Sequence, residues 1–417
     1  MKKIVIAAIT VFLGSTLLVD HCQAIPAFAR KYRLSCKTCH SPASPKLKDY
    51  GDDYAGDGFK LEEYDAPGYY VDAGDDKLNL LRDFPLAVRL DGFVTYNNGN
   101  DEKSDFAAPY LMKLLSGGEI SEHLAYYFYF YMSERGEIAG VEDAYLMYDN
   151  LFNSELDIML GQFQVSDPLF KRELRLQLED YALYTSQIGM SNITLKYDKG
   201  IMMTYGFDTG TDLVFEMVNG NGIGEAGGFH IFDQDRYKSY LGRVSQNIGK
   251  YIRIGGFAYM GKERQSSTSA TTSDITNKVQ IWGPDLTVNV QDRWELNFQY
   301  TRRNDAKVFP FGNAQQADIM EDVNTEGILA ELIFSPMADQ SDWYLLGMYN
   351  KVESDFDPAD YESFTFHVGY LLRRNVRLVG EYTYVLHEYL EPESGYMGTG
   401  LEEQDFGRFS VGFVSAF

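Results

Sequence analysis

Residues 84–96 decide the fold: Phe84-Pro85-Leu86-Ala87-Val88-Arg89-Leu90-Asp91-Gly92-Phe93-Val94-Thr95-Tyr96. Apolar residues and one glycine occupy the even positions, whereas the odd positions are mixed and partly charged. Successive side chains of a β-strand point to opposite faces, so this period of two predicts a strand with one lipid-compatible face. A weaker version of the alternation recurs between Val376 and Val385.

Turn-forming residues divide the chain after residue 84 into short and long connections. The predicted short turns are 116–121, 149–154, 208–211, 247–250, 291–292, 336–340 and 373–374. The predicted long polar loops are 97–105, 134–140, 166–199, 220–236, 261–274, 304–321, 353–360 and 388–403. Short and long connections alternate, as they do in outer-membrane barrels with short periplasmic turns. Together they predict a mainly β protein with a transmembrane barrel of about sixteen strands.

The composition agrees with a membrane barrel. The chain has 31 Tyr and 27 Phe among 417 residues, and its last predicted strand, Phe406–Phe417, ends on Phe as closing strands of outer-membrane proteins do. No apolar run after the N-terminus reaches the ~20 residues that a membrane helix needs. A soluble β-sandwich is the alternative, but it does not require two classes of loop. The net charge of −24 argues against nucleic-acid binding.

The N-terminus predicts export. Lys2 and Lys3 precede the apolar run Ile4–Val19, and Cys22-Gln23-Ala24 supplies small residues for cleavage. Residues 1–24 are therefore predicted to be a signal peptide. An uncleaved anchor and a lipoprotein with lipid on Cys22 are the alternatives. The apolar run is short and ends at Asp20, which disfavours the anchor.

A single chemical motif stands out in the mature chain: Cys36-Lys37-Thr38-Cys39-His40. Two thiols at this spacing can form thioether bonds to the vinyl groups of one haem c, and the adjacent histidine can bind the iron. A zinc site would need about four ligands. A thioredoxin-like pair would need a βαβ context, and a disulfide across two intervening residues is strained. We therefore predict one covalent haem on Cys36, Cys39 and His40, with His40 as axial ligand.

Residues around the motif give a family resemblance. They are Ile25-Pro26-Ala27-Phe28-Ala29-Arg30 before it and Pro45-Lys46-Leu47, Tyr50-Gly51, Tyr54 and Gly58-Phe59 after it. This run resembles the fused monohaem cytochrome c–porins, an outer-membrane iron(II) oxidase family. The resemblance covers about 35 residues by motif and the remainder by architecture. Tyr50 stands where the family usually has Phe.

The resemblance implies a small, mostly helical or irregular cytochrome module or plug at residues 25–83 and a porin-like barrel at 84–417. It further implies an iron(II):cytochrome c oxidoreductase of the bacterial outer membrane, in contact with its lipid. Extracellular Fe(II) would be the electron donor, and a periplasmic c-type cytochrome or other carrier the acceptor. The haem module would face the periplasm or lie in the lumen. A different donor, outward electron transfer, and a porin with a sensory or structural haem are the competing functions.

Three features remain open at this level. The sixth iron ligand is not evident, because the module contains no methionine and the other mature histidines lie outside it: His123, His230, His367 and His387. Either a barrel residue completes the coordination or the iron is five-coordinate. Basic residues up to Lys48 precede an acidic stretch at 49–76, so the basic part either is solvated or docks on an acidic lumen. The connection 166–199 either constricts the lumen, with Lys171, Arg172 and Arg175 facing acidic groups, or forms an outer lid.

Carboxylates of the long loops are the oxygen ligands that a hard cation prefers. They are Asp101, Glu102, Asp105, Asp318, Glu321, Asp322, Asp355, Asp357, Asp360, Glu402, Glu403 and Asp405. Their ordinary role is solvation of the loops, and no pair has a spacing specific enough to predict a metal site.

Overall fold

The structure is a computed structural model. It describes residues 27–32, 34–43, 46–61, 70–71, 74, 80–82, 84–99, 103–169, 173–266, 273–310, 319–373, 375–390 and 402–417. The predicted signal peptide, including Cys22, lies outside the described residues. So do Lys171, Arg172, Asp101, Glu102 and Asp318 among the residues singled out above.

Short helices come first, and long strands follow. The α-helices are α1 (Ala27–Tyr32), α2 (Cys36–Cys39), α3 (Asp49–Gly56) and α4 (Ala182–Thr185). The strands are β1 (Tyr70–Val71), β2 (Leu80–Leu81), β3 (Leu86–Asn97), β4 (Lys103–Ser121), β5 (Leu124–Glu134), β6 (Gly140–Tyr148), β7 (Leu156–Gln164), β8 (Tyr197–Phe207), β9 (Thr211–Val218), β10 (Ser239–Ile248), β11 (Ile252–Gln265), β12 (Ile275–Val290), β13 (Trp294–Val308), β14 (Met320–Phe334), β15 (Trp343–Ser354), β16 (Tyr361–Arg373), β17 (Val376–Leu390) and β18 (Glu402–Ala416). Single 3₁₀ turns lie at Gly228–His230, Ala338–Gln340 and Asp357–Ala359. No helix in the described ranges is long and apolar enough to cross a membrane.

Strands β3 to β18 form one closed antiparallel barrel, which confirms the predicted sixteen strands. Every strand pairs with its neighbour in the chain, and β18 pairs with β3 to close the ring. The backbone of Val88 exchanges two hydrogen bonds with Phe417, of 2.6 and 2.9 Å. Closure gives each strand two partners, so the barrel has no sheet edge.

The strands place polar residues inside and apolar residues outside, the reverse of a soluble barrel. In β16, Ser363, Thr365 and His367 are buried, whereas Phe364 and Phe366 between them are each 53% exposed. The outward face carries many further large apolar side chains, among them Val94, Leu160, Phe215, Val244, Ile254, Trp282, Leu332, Phe409 and Val411. An apolar outer band around a polar interior is the pattern of a barrel solvated by lipid.

Most predicted turns coincide with connections between strands, but the turn predicted at 116–121 is wrong. Strand β4 continues to Ser121, and the chain reverses at 122–123. Gly117 lies within the strand, where it allows close packing and does not form a turn. A Cβ at this glycine would lie 3.0 Å from the Phe28 ring and 3.0 Å from the Tyr127 ring.

The connection between β7 and β8 runs across the barrel lumen. The backbone of this 165–196 segment meets inward-facing side chains of distant strands. Arg243 donates to the Leu169 carbonyl at 3.1 Å, Asn350 accepts from the Ala182 N–H at 3.1 Å, and Arg303 donates to the Ile193 carbonyl at 2.7 Å. Its Leu176, Tyr181, Leu183, Tyr184, Ile193 and Leu195 side chains join the core cluster of the barrel wall. The prediction that this connection folds into the lumen is therefore correct, and the alternative of an outer lid is wrong.

Candidate functional site: a cavity between the N-terminal helices and the barrel wall

The N-terminal helices are held together and to the wall by aromatic packing. The Phe28 ring stacks on Phe59 at 4.9 Å between centroids and meets Tyr54 edge-on at 5.7 Å. The Phe59 ring in turn stacks on Tyr127 of β5 at 5.3 Å. These are residues of the flanking motif quoted above, so that motif supplies the packing core of the helical part.

The C-x-x-C-H stretch is a single helical turn with its histidine at the end. Ser35 caps α2, and the His40 N–H donates to the Cys36 carbonyl at 2.9 Å. Helix α3 packs so closely that a Cβ on Gly51 would lie 2.3 Å from the Cys39 carbonyl oxygen. A residue without a side chain is needed where two backbones approach this closely. The glycine after Tyr50 thus has a steric role in presenting the motif.

Lysines of the helical part pair with acidic residues of the barrel. Lys37 lies 2.9 Å from Asp342 and Lys48 lies 3.0 Å from Asp339, both in the turn between β14 and β15. Lys46 pairs with Glu295 at the start of β13. On the other side, Lys60 lies 2.8 Å from Asp149, and Lys31 lies 3.7 Å from Glu119. The basic stretch therefore docks on acidic groups at the end of the barrel that carries the short turns.

A cavity of about 380 Å³ lies where the helices meet the wall. The three predicted site residues, Cys36, Cys39 and His40, all line it. Its lining is mostly apolar and includes Phe28, Leu34, Leu47, Tyr54, Phe59, Tyr127, Tyr145, Met159, Phe163 and Met202. This volume falls among those of cofactor sites, which are largely apolar with a few convergent polar groups.

The charged groups that line the cavity are of both signs: Lys37, Arg89, Lys113 and Arg377 are basic, and Asp143, Asp167, Glu173, Asp339 and Asp342 are acidic. Arg377 lines it, and the hydroxyl of Ser41, next to His40, is buried without a hydrogen-bond partner among the described residues. Burial raises the pKa of the Cys36 and Cys39 thiols, which is expected of side chains beside an apolar cavity. The residues present thus fit a haem c joined to both cysteines, with Ser41 and Arg377 available for its carboxylates.

None of the other described histidines lines this cavity. His367 is fully buried in the lumen, with Nε2 2.8 Å from the Tyr344 hydroxyl and Nδ1 3.1 Å from Glu381. His123 and His387 lie beside Asp149 and Asp360, and His230 is exposed in the connection between β9 and β10. The histidine candidates for the sixth ligand therefore find no support. Met159 and Met202, which carry no signal in the sequence, line the cavity instead.

A row of tyrosines leads from the cavity along β5. Tyr127, Tyr129 and Tyr131 face the lumen, with ring centroids 6.5 and 5.2 Å apart, and the Tyr129 and Tyr131 hydroxyls lie 3.2 Å from each other. At 3.3–3.4 Å per residue, this row spans ~13 Å of strand, from the short-turn end toward the long-loop end. Aromatic rings thus occupy much of the lumen wall on that side.

The long loops do not assemble a metal site in the described residues. No group of three or more His, Cys, Asp or Glu side chains there is arranged to hold an ion. Glu321 instead pairs with Lys307 at 2.8 Å, and Asp355 accepts from the Asn324 N–H at 2.9 Å. Glu321 and Asp355 thus take part in local loop structure.

Comparisons with known proteins give a fold. No family model matches the chain, and no curated protein matches it. Among solved structures, it resembles Pseudomonas putida OprB, with 9% identity, a TM-score of 0.54, and coverage of 80% of this chain and 94% of that one. It also resembles an anion-selective porin from Comamonas acidovorans, with 11% identity, a TM-score of 0.53, and coverage of 80% of this chain and 99% of that one. A further similar structure is the outer-membrane channel DcaP of Acinetobacter baumannii, with 12% identity, a TM-score of 0.52, and coverage of 80% of this chain and 97% of that one. At these identities the likeness is one of architecture: the chain has a porin-like barrel fold.

Proposed function

We propose that this protein is an electron conduit of the bacterial outer membrane, with one covalent haem c held by Cys36, Cys39 and His40. The observation that carries the proposal is the cavity, because it brings both thiols and the histidine against an apolar wall at one end of the barrel. A haem bound there would supply one reversible exchange of an electron between Fe(III) and Fe(II).

The chain's own residues would set the conditions of that exchange. The thiols of Cys36 and Cys39 would hold the group covalently, and His40 would bind its iron. Phe28, Phe59 and Tyr127 exclude water from its surroundings, since their rings stack in one column from helix to wall. The docking lysines hold this arrangement against the barrel.

A conduit needs to bridge an apolar band ~25 Å tall. A haem at one end of the lumen would leave most of that distance uncovered, and the Tyr127–Tyr131 row lines ~13 Å of it with closely spaced rings. The outward apolar faces support insertion in a membrane, and an even strand number puts both chain ends of the barrel on one side. The predicted export would place that side, with its short turns and the haem motif, in the periplasm.

The family resemblance makes extracellular Fe(II) the substrate. One Fe(II) would lose an electron and leave as Fe(III), and a periplasmic c-type cytochrome or similar carrier would gain the electron. An open diffusion pore is the second candidate, and the porin-like barrel that this chain shares with its structural neighbours favours it. The segment 165–196 speaks against a wide pore, because its buried side chains pack on the wall across the lumen.

Cys36→Ala and His40→Ala test the haem assignment. Either variant should lose the c-type absorption spectrum while the barrel still inserts into vesicles, as judged by protease resistance. A wild-type spectrum in either variant contradicts the site.

Anaerobic stopped-flow mixing with Fe(II) tests the donor. The wild-type holoprotein should show reduction of its haem on mixing, and failure to reduce at a useful rate rules out iron(II) oxidation while leaving other donors. Rapid diffusion of small solutes through liposomes that carry the protein would favour the pore.

A further inference from the structure

Three methionines form a row across neighbouring strands of the inner wall. Met147 of β6 pairs with Met159 of β7, and Met159 pairs with Met202 of β8. Directly paired residues of antiparallel strands point to the same face of the sheet. All three thioethers therefore face the lumen at one level of the barrel.

The three side chains differ in what they contact. Met147 is 1% exposed and does not line the cavity, because it lies in the cluster formed by Tyr32, Tyr54 and Phe59. Met202 lines the cavity but is only 3% exposed, within the cluster that includes the lumen segment.

Met159 combines two properties that the others lack. Its side chain lines the cavity and is partly exposed, although it points inward. It also packs against both clusters, the one around the N-terminal helices and the one around the lumen segment. Met159 and His40 therefore line the same cavity, and part of the Met159 side chain is accessible there.

On this basis, and resting on the haem site of the proposed function, we infer that Met159 is the second axial ligand of the haem iron. Thioether sulfur is an established partner of histidine in c-type cytochromes, where it raises the reduction potential. The helical part has no methionine of its own, and the described histidines other than His40 do not line the cavity. The barrel wall thus supplies the ligand that the module lacks.

This assignment gives the barrel a chemical role in addition to an insulating one. Met159 belongs to the wall, whereas His40 belongs to the docked helices, so six-coordinate iron requires docking. A high reduction potential is then a property of the assembled protein and not of the cytochrome segment alone.

The test uses the purified, membrane-folded holoprotein and three leucine variants, Met159→Leu, Met202→Leu and Met147→Leu. Leucine conserves volume, so each variant should fold. The readouts are the weak red charge-transfer band of methionine-ligated ferric haem c and the reduction potential. The wild type should show the band, Met159→Leu should lose it and shift to a lower potential, and Met147→Leu should retain both properties.

Covalent haem is quantified separately in denatured protein, so that the two proposals fail differently. Unchanged haem content with loss of the band in Met159→Leu alone supports the ligand. A band that survives in Met159→Leu, a band lost in Met202→Leu but not in Met159→Leu, or a high-spin wild type without the band overturns it. Absence of covalent haem from the wild type overturns the proposed function and the ligand together.

Discussion

Glu173 ties the lumen segment to the wall, and its removal is expected to open the barrel. Its carboxylate accepts hydrogen bonds from Arg89 at 2.9 Å and from Lys113 at 2.7 Å, with all three side chains largely buried. In Glu173→Gln, Arg89 still has Asp91 at 2.7 Å, but Lys113 becomes a buried cation without a carboxylate partner in this trio.

Removing one partner of a buried ion pair costs roughly 3–5 kcal/mol. We expect the lower value, about 3 kcal/mol, because Arg89 keeps its contact with Asp91. Because Glu173 belongs to the segment and not to a strand, that loss falls first on docking of the segment. A loss of about 3 kcal/mol corresponds to ~150-fold more of the detached form. Single-channel conductance in planar bilayers should therefore show a comparable rise in the probability of open events.

The paired variant Lys113→Met with Glu173→Leu removes both charges and should restore most of the closed behaviour, since no unpaired lysine stays buried and Arg89 keeps its contact with Asp91. Glu353→Gln is a matched control, because its ion pair with Lys351 is solvent-exposed on the glutamate side and should have little effect. Wild-type conductance in a correctly folded Glu173→Gln protein would refute the reasoning, as would a double variant as leaky as the single one.

Two further predictions concern the docked helices. Gly51→Ala should destabilise the packing of these helices by ~1–3 kcal/mol, because its Cβ would meet the Cys39 carbonyl oxygen. Gly56→Ala in the same helix is the control, since its Cβ would meet nothing within 4 Å. The two variants are compared by the protection of the helices against proteases, and equal protection would contradict the steric argument. Burial lowers the pKa of Lys31 from 10.5 to about 8. Below pH 8 this lysine is charged in both the folded and the unfolded state, and the folded state bears the full free-energy cost of burying the charge. Between pH 8 and 10.5 the unfolded state binds more protons, so stability should rise with pH by up to about 3 kcal/mol. Urea titrations across this pH range should show the rise in the free energy of unfolding in the wild type but not in Lys31→Met. An equal change of that free energy with pH in both proteins would contradict the prediction.

The strands of the barrel are predictable because lipid imposes a simple rule on them. Polar-in, apolar-out alternation, as at 363–367, and the turn residues between strands depend on local sequence alone. The exception at Gly117 is instructive. A glycine in a strand can signal a turn or a close approach by another part of the chain, and the approach of Phe28 is invisible until the barrel closes around the docked helices.

The candidate site divides in the same way. Cys36, Cys39 and His40 are neighbours in the chain, so their spacing alone indicates their chemistry. Met159 carries no local signal, because an ordinary strand methionine and one that faces a cavity look alike. Its place depends on the pairing of β7 with β8, on closure of the barrel and on docking of residues more than a hundred positions earlier.

The lysine contacts of the N-terminal helices have a consequence for biogenesis. One group of contacts reaches Glu119 and Asp149, and the other reaches Glu295, Asp339 and Asp342, so the helices bridge two separate arcs of the wall. On its shorter side, the wall between β4–β7 and β13–β15 includes the β18–β3 seam. The two arcs are therefore joined on that side only when β18 has paired with β3. Docking of the N-terminal helices therefore depends on both arcs of the wall being in place. A chain with an incomplete barrel would leave these helices undocked and accessible to proteases.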